Sequence, residues 1–169
     1  MTASATPAPA ATATPTPLAV HVETKSSGNR YVTMVQQTRD RGSRKARTVY
    51  ELRALSSAAD RGASADAVVT FEQPHIVFHD KAGKTLTADA PKAKVTQRDK
   101  SVVMSGGVHA QTQDGGVLTC DRLRYDGRTE RMHGDGHVTL SGPNGYSMSG
   151  DRLDGDVRLD DVRISAGGG

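Results

Sequence analysis

Hydrophobic and polar residues alternate along most of this chain. Apolar side chains return at every second position in short runs, as in Val69 and Phe71 or in Ile76 and Phe78. A spacing of two is typical of β-strands that bury one face, whereas a helix repeats its apolar positions at the longer interval of its turn. The pattern predicts an all-β protein of roughly twelve to fifteen strands, each about 5 residues long.

A sequence repeat returns at intervals of 30 to 34 residues. Leu86-Thr87-Ala88-Asp89 is followed by Leu118-Thr119-Cys120-Asp121 and, more loosely, by Met148-Ser149-Gly150-Asp151, and an earlier relative starts at Leu52. Without helical spacing, a period of this length indicates β units that stack with their apolar faces on one side. We therefore expect a twisted antiparallel jelly-roll, a boat-shaped sandwich of stacked strands with open ends.

Composition divides the chain into four parts. Residues 2–17 contain only Ala, Thr, Pro and Ser, which cannot bury a core, so residues 1–17 are expected to be a disordered leader. Residues 18–47 are expected to hold N-terminal strands and a basic loop, 48–166 the β domain, and 167–169 a flexible tail. Within the β domain, glycine and several serines favour a loop over residues 56–67.

Large apolar side chains are scarce, since hydrophobic residues make up 35% of the chain, with two Phe, four Tyr and no Trp. Two facing sheets with so few aromatic side chains would leave part of the gap between them unfilled. An alkyl chain would fill that gap at about 0.8 kcal/mol for each buried methylene. An ordinary packed core fits the same pattern and remains the alternative. The residues expected to line the apolar groove are Tyr50, Leu52, Phe71, Ile76, Phe78, Leu86, Met104, Leu118, Tyr125, Met132, Val138 and Tyr146.

Positive charge is concentrated in one part of the chain. Residues 25–61 contain nine Lys and Arg against three Asp and Glu, although the whole chain carries only +3. Such a segment either meets phosphates, an acidic partner or a membrane surface, or is a solvated loop that protects a strand edge. Nucleic acid is the weakest candidate, because only Tyr31 and Tyr50 flank the segment to stack on bases. The candidate phosphate, headgroup or membrane contacts are Arg39, Arg41, Arg44, Lys45 and Arg47.

Patterns that would carry catalysis are absent. The sequence contains no Gly-x-Ser-x-Gly, no phosphate-binding loop and no Cys-x-x-Cys. Two histidine pairs occur at a spacing of four, but such positions in a strand lie about 13 Å apart, too far to hold one metal ion. The single cysteine, Cys120, forms no internal disulfide. We expect no enzyme, no cofactor and no metal, and no apolar run of about 18 residues that would span a bilayer.

Several segments, taken in order, resemble the LptC family. They are Tyr50-Glu51-Leu52-Arg53-Ala54, residues 71–78, Leu86-Thr87-Ala88-Asp89-Ala90, Met104-Ser105-Gly106-Gly107-Val108 and residues 116–126. LptC proteins are periplasmic components of the lipopolysaccharide export system. The resemblance implies that lipopolysaccharide acyl chains pass along the groove, with an inner-membrane ABC transporter and a soluble LptA-like bridge protein as partners. It also implies an inner-membrane anchor, supplied by a segment absent from this chain.

The C-terminal end of the sheet is the expected docking site. Residues 157–164 are expected to form a last strand, whose unpaired backbone groups would accept a similar fold edge to edge or permit self-association. Charges in the same segment would oppose pairing. A soluble LptA/OstA-type bridge protein, and a β-repeat scaffold that binds only protein, remain alternative interpretations of the whole chain. The expected edge residues are Val157, Leu159, Val162 and Ile164.

Overall fold

The chain folds into antiparallel β-strands, with no helix in the part that the structure describes. The structure is a computed structural model that describes residues 19–24, 30–60, 68–96 and 98–167. These residues form thirteen strands joined in one hydrogen-bonded sheet. The strands are β1 (Ala19–Thr24), β2 (Arg30–Thr38), β3 (Arg47–Ala54), β4 (Ser56–Asp60), β5 (Val68–Glu72), β6 (His75–His79), β7 (Thr85–Asp89), β8 (Lys92–Thr96), β9 (Ser101–Thr112), β10 (Val117–Asp126), β11 (Arg131–Ser141), β12 (Ser147–Asp156) and β13 (Arg163–Ser165).

The predicted all-β, antiparallel class is confirmed, and strand bounds differ from the prediction at two places. Residues 56–60 were expected in a loop but form β4, because they pair along their whole length with β5. The expected strand over residues 157–164 is wrong in extent, since only Arg163–Ser165 is a strand. Asp156 turns the chain there by accepting the backbone N–H groups of Asp160 and Asp161. The expected leader and residues 61–67 lie outside the described residues.

Strands β9 to β12 are each interrupted near the middle, and β3 to β8 are joined in consecutive pairs by similar interruptions. All of these interruptions lie side by side across the sheet. Proline or glycine marks four of them, since proline cannot donate a ladder hydrogen bond and glycine adopts positive φ without strain. The backbone N–H of Gln73 donates to the carbonyl of Pro91 at 2.8 Å and so joins two neighbouring interruptions. We call this row the spine; it comprises Leu55, Gln73-Pro74, Ala90-Pro91, Gly106-Gly107, Asp121, residues 135–137 and Asp151.

The spine divides the sheet into two layers. Strand β9 makes the division plain, because its residues 101–105 pair with β8 while its residues 109–112 pair with β7. Layer A contains β1, β2, β3, β6 and β7, together with the halves of β9 to β12 that lie on the same side of the spine. Layer B contains β4, β5 and β8, together with the halves of β9 to β12 on the other side of the spine. The result is a jelly-roll-like sandwich in which one continuous sheet is bent so that it faces itself.

The sequence repeat accounts for part of this bend. The aspartate that ends each copy, Asp89, Asp121 or Asp151, stands where a strand passes from one layer to the other. Before Asp89, Leu86 and Ala88 are fully buried at the period-two spacing of a strand. One repeat therefore supplies a strand segment for layer A, the bend, and the start of a segment for layer B.

Gly106 and Gly107 allow a direct test of how tightly the spine is packed. Both have positive φ, at +91° and +97°, but a Cβ on Gly106 would lie 3.1 Å from Cγ of Pro91, whereas one on Gly107 would meet nothing within 4 Å. We expect Gly107→Ala to lower the free energy of unfolding by about 1–3 kcal/mol through backbone strain alone. Gly106→Ala should lower it further, as measured by urea denaturation.

The Pro91→Ala background separates the two contributions. There, the extra loss of Gly106→Ala over Gly107→Ala should shrink, because Cγ and Cδ of the ring are gone and only Cβ, at 3.3 Å, remains beside the new methyl group. Equal losses for the two alanine variants in the presence of Pro91 would show that this contact adds nothing to the stability of the bend.

Candidate functional site

The interior between the layers is apolar and closed. Eleven of the twelve residues predicted to line a groove lie there, and each exposes at most 2% of its surface. The prediction of an apolar groove that the protein's side chains leave unfilled is therefore wrong for this arrangement. The role of these residues as lipid contacts stays a prediction. The eleven are Tyr50, Leu52, Phe71, Ile76, Phe78, Leu86, Met104, Leu118, Tyr125, Met132 and Val138.

Tyr146, the twelfth predicted residue, lies outside the interior. Its side chain is 47% exposed, and its ring covers Gly142 so closely that a Cβ on the glycine would clash with it. Strand β12 begins only at Ser147, so Tyr146 belongs to the preceding turn. The period-two rule that assigns strand residues to the inner face does not extend to it.

An aromatic cluster joins the two layers. Tyr50 and Phe78 of layer A lie with ring centroids 5.9 Å apart, and Tyr125 of layer B lies 4.8 Å from Phe78 and 6.0 Å from Tyr50. The hydroxyls of both tyrosines are buried without a hydrogen-bond partner in the described protein. Burial raises the pKa of each phenol, so both side chains remain protonated at neutral pH.

A β-bulge directs Arg47 toward this cluster. The register between β2 and β3 shifts so that Tyr50 pairs with Gln36 and Thr48 pairs with Gln37, which leaves Val49 as the extra residue. Without the bulge, positions 47 and 50 would lie on opposite faces of the strand, whereas the extra residue brings them to the same face. The bulge thus places a guanidinium beside the apolar interior.

Ion pairs close the edge of the sandwich that lies opposite the spine, which we call the mouth. Arg47 of layer A forms a salt bridge with Glu130 in the turn after β10 of layer B. Asp40 accepts a second salt bridge from Nε of Arg47 at 2.8 Å. These contacts raise the pKa of Arg47, chiefly through the hydrogen bond to Asp40, and the same bond lowers the pKa of Asp40. Lys81 lies 4.0 Å from Glu130.

A segment after β12 leaves layer B, reaches layer A across the mouth, and returns to layer B, where β13 pairs with residues 152–154 of β12. We call residues 156–161 the strap. Val157 and Leu159, predicted as partner-edge residues, are only 2% and 7% exposed because they point into the core instead of forming a free strand. Arg158 lies between them and contacts Asp80, in the turn after β6, at 3.2 Å.

Two cavities adjoin the strap. The larger, of about 320 Å³, lies between the turn of residues 80–82 and that of residues 129–131. The smaller, of about 210 Å³, lies beside Leu159, Leu140 and Tyr146. A further cavity of about 440 Å³ lies on the outward face of β2, β3 and β6. Two of these three cavities therefore lie beside the strap.

The predicted basic contacts separate into two groups. Arg39, Arg41, Arg44 and Lys45 are exposed in the turn between β2 and β3, at the layer A side of the mouth. Arg47 is half-buried and joins the two layers. Sequence reasoning grouped all five by charge and missed Glu130, because Glu130 is 83 residues away and no local signal connects it to Arg47.

One stretch of strand edge carries exposed apolar side chains. Strand β13 pairs with β12 only at residues 152–154, so among the described residues nothing pairs with that side of residues 147–149. Met148 lies in this stretch and is 42% exposed, beside Tyr146. Val162 and Ile164, the other predicted edge residues, are partly buried against the core. The start of β12, and not the segment after it, is thus an unpaired edge among the described residues.

Cys120 is a core residue. Its side chain is 4% exposed, and burial raises the pKa of its thiol to about 12. Within the described residues no cluster of three His, Cys, Asp or Glu side chains lies close enough to hold a metal ion. No helix in that part of the chain is long and apolar enough to cross a membrane.

The bent, closed β-sandwich with an apolar interior places this chain among β-jelly-roll proteins. Comparison with known families identifies its family. The family model described as "Lipopolysaccharide-assembly, LptC-related" matches residues 50–167. The chain belongs to the LptC family, which functions in the periplasm in lipopolysaccharide transport and outer-membrane biogenesis. A comparison with curated proteins finds no match.

A histidine–aspartate pair lies on the outer side of the spine. Nδ1 of His137 is 2.7 Å from Oδ2 of Asp121, and this hydrogen bond, followed by charge attraction, raises the pKa of His137 above its ordinary 6.5. Gly136, with φ +78°, leaves room for the carboxylate, because a Cβ there would clash with it. The pair links the bends of β10 and β11.

The raised pKa makes a small part of the stability dependent on pH. Since the folded pKa of His137 is above the unfolded one, the pair stabilises the fold fully below pH 6.5 and loses this effect as pH rises through the folded pKa. Asp121→Asn should lower the pKa of His137 toward 6.5, as followed by NMR titration of its ring. Asp114→Asn, which removes an exposed carboxylate paired with Lys84, serves as control. An unchanged His137 titration in Asp121→Asn would contradict this assignment.

Proposed function

We propose that this chain carries the acyl chains of lipopolysaccharide between its two β layers and passes them to a similar β-sandwich docked at its edge. The observation that carries the proposal is the difference between the two sides of the interior. Continuous backbone closes the spine, whereas among the described residues only side-chain contacts and the strap close the mouth. The layers can therefore part at the mouth while the spine acts as a hinge.

The energies involved are compatible with opening by a lipid. Partly exposed ion pairs such as Arg47–Glu130 and Arg158–Asp80 contribute about 0–1 kcal/mol each. An acyl chain that buries about ten methylenes gains roughly 8 kcal/mol. This gain offsets the loss of the ion pairs and part of the loss of contact between the layers. Met104 and Met132 are suited to repacking around a flexible chain.

Binding and transfer, with no bond made or broken, is the activity we propose. The buried tyrosines and the thiol of Cys120 are held protonated by the apolar interior and are poor nucleophiles in that state. In this role the chain works in the periplasm beside the inner-membrane ABC transporter of the export system. The transporter supplies the lipid, and a soluble LptA-like bridge protein receives it.

The handover site we propose is the edge at residues 147–149. An added strand would complete the backbone hydrogen bonds of this edge and extend the sandwich. Tyr146 and Met148 would then be covered by the partner. The same edge would serve a soluble LptA/OstA-type role, and two copies of this chain would associate through it.

A scaffold that binds only protein is the second candidate. The closed packing of the interior favours it, because side chains at 0–2% exposure leave no room for a ligand unless the layers separate. The two candidates predict opposite outcomes when the interior is probed for lipid.

Photo-crosslinking at interior positions tests the lipid path. A benzophenone amino acid at Phe78 or Met104 should capture lipopolysaccharide, because both side chains would contact an acyl chain between the layers. Lys94, which is exposed on the strand β8 of layer B, is the outward control and should capture little. Capture is measured by gel shift and lipopolysaccharide immunoblot, after circular dichroism has shown that each variant is folded. Absence of capture at both interior positions, or equal capture at Lys94, would favour the scaffold.

Charge at the β12 edge should block docking. Met148→Lys places a charged side chain on the proposed edge, which opposes addition of a strand. We expect at least tenfold weaker binding of a soluble LptA-like protein, about 1.4 kcal/mol or more, measured by biolayer interferometry. Leu55→Lys is the matched control, since Leu55 is 49% exposed but lies on the spine. If both variants bind the bridge protein like the unmodified chain, docking occurs elsewhere.

A further inference from the structure

Three hydrogen-bond donors face the same part of the interior without an acceptor. The hydroxyls of Tyr50 and Tyr125 and the Nη1 atom of Arg47 are buried and have no hydrogen-bond partner in the described protein. The two tyrosine rings are in edge contact, with centroids 6.0 Å apart. The bulge at Val49 turns Arg47 to their side of β3. The charge of Arg47 also acts on Tyr125, so these donors lie near one another at the mouth.

The state of each group suits it to an anion. Asp40 holds Nε and Nη2 of Arg47 at 2.8 and 3.3 Å, which fixes the guanidinium plane and leaves Nη1 as the remaining donor. Burial raises the pKa of both tyrosines and keeps their hydroxyl protons in place. Nη1 and the two hydroxyls are donors shielded from water, where a hydrogen bond to an oxygen anion is stronger than the same bond at the surface.

We propose that Arg47, Tyr50 and Tyr125 form a binding subsite for a phosphate group of the lipid that enters the interior. The proposal rests on the proposed function, since the phosphate reaches these donors when the acyl chains lie between the layers. The phosphate accepts a hydrogen bond from Nη1, whereas Glu130 stays on Nη2 of the same guanidinium.

Binding of lipopolysaccharide before and after enzymatic removal of its phosphates tests the subsite. The unmodified chain should bind the phosphorylated form about tenfold more tightly or better, as one set of charge-assisted hydrogen bonds provides. The double variant Tyr50→Phe/Tyr125→Phe should lose most of this ratio, and so should Arg47→Gln. The Phe variant removes only two unpaired hydroxyls, so its thermal stability should equal or exceed that of the unmodified chain. A clear loss of stability would indicate that the hydroxyls are structural and would overturn the proposal.

The control separates this subsite from general attraction by the basic turn. Arg44→Gln/Lys45→Gln removes two exposed charges on the same side of the mouth and should keep the phosphate-dependent ratio. Loss of the ratio in this variant, with retention in Arg47→Gln, would place phosphate recognition on the surface and overturn the proposal. Inorganic phosphate at about 1 mM should not compete, because it brings no acyl chain. Competition would identify a site for free phosphate instead.

Crosslinking distinguishes failure of this proposal from failure of the lipid path. If both forms of lipopolysaccharide bind equally and are captured at Phe78, the acyl path stands and the phosphate subsite is wrong. If neither form is captured at Phe78, the acyl path itself is wrong, and the subsite falls with it.

Discussion

The architecture depends on one constraint: a single sheet is bent along a row of backbone interruptions until it faces itself. At the spine the chain passes from layer to layer through peptide bonds and hydrogen bonds such as Gln73–Pro91. At the mouth the described residues hold the layers together through side chains and the strap. This asymmetry is the reason for proposing that the layers separate at the mouth and turn about the spine.

The polar groups at the mouth follow from this geometry. An edge at which two sheet layers meet ends in turns, and turns carry charged side chains that remain partly hydrated. Arg47, Glu130, Asp80 and Arg158 are all of this kind. Partly exposed pairs contribute little net stability because water and salt screen them. They hold the layers in register, but the apolar contacts behind them provide most of the barrier to opening. An acyl chain can replace those contacts with apolar contacts of its own.

Much of the fold could be predicted from alternation alone. Once a strand has one inward residue, every second residue is inward, so eleven of the predicted interior residues follow from a period of two. The period-two rule does not apply beyond the end of a strand. Tyr146 lies one residue before β12, and Val157 and Leu159 lie in a turn that Asp156 makes by capping two backbone N–H groups. All three side chains were placed by extending a pattern past the end of its strand.

The sequence by itself determined the all-β class, the repeated unit, which residues of most strands share a face, and the LptC family, because these depend on local alternation and on the order of short motifs. Tertiary structure alone decided that the interior is filled, that the strap lies across the mouth, and that Arg47 leaves its basic neighbours to join the two layers. These features depend on a one-residue bulge and on contacts between segments such as positions 47 and 130, which are 83 residues apart. No local pattern carries that information, because it arises only when the bent sheet brings its two ends together.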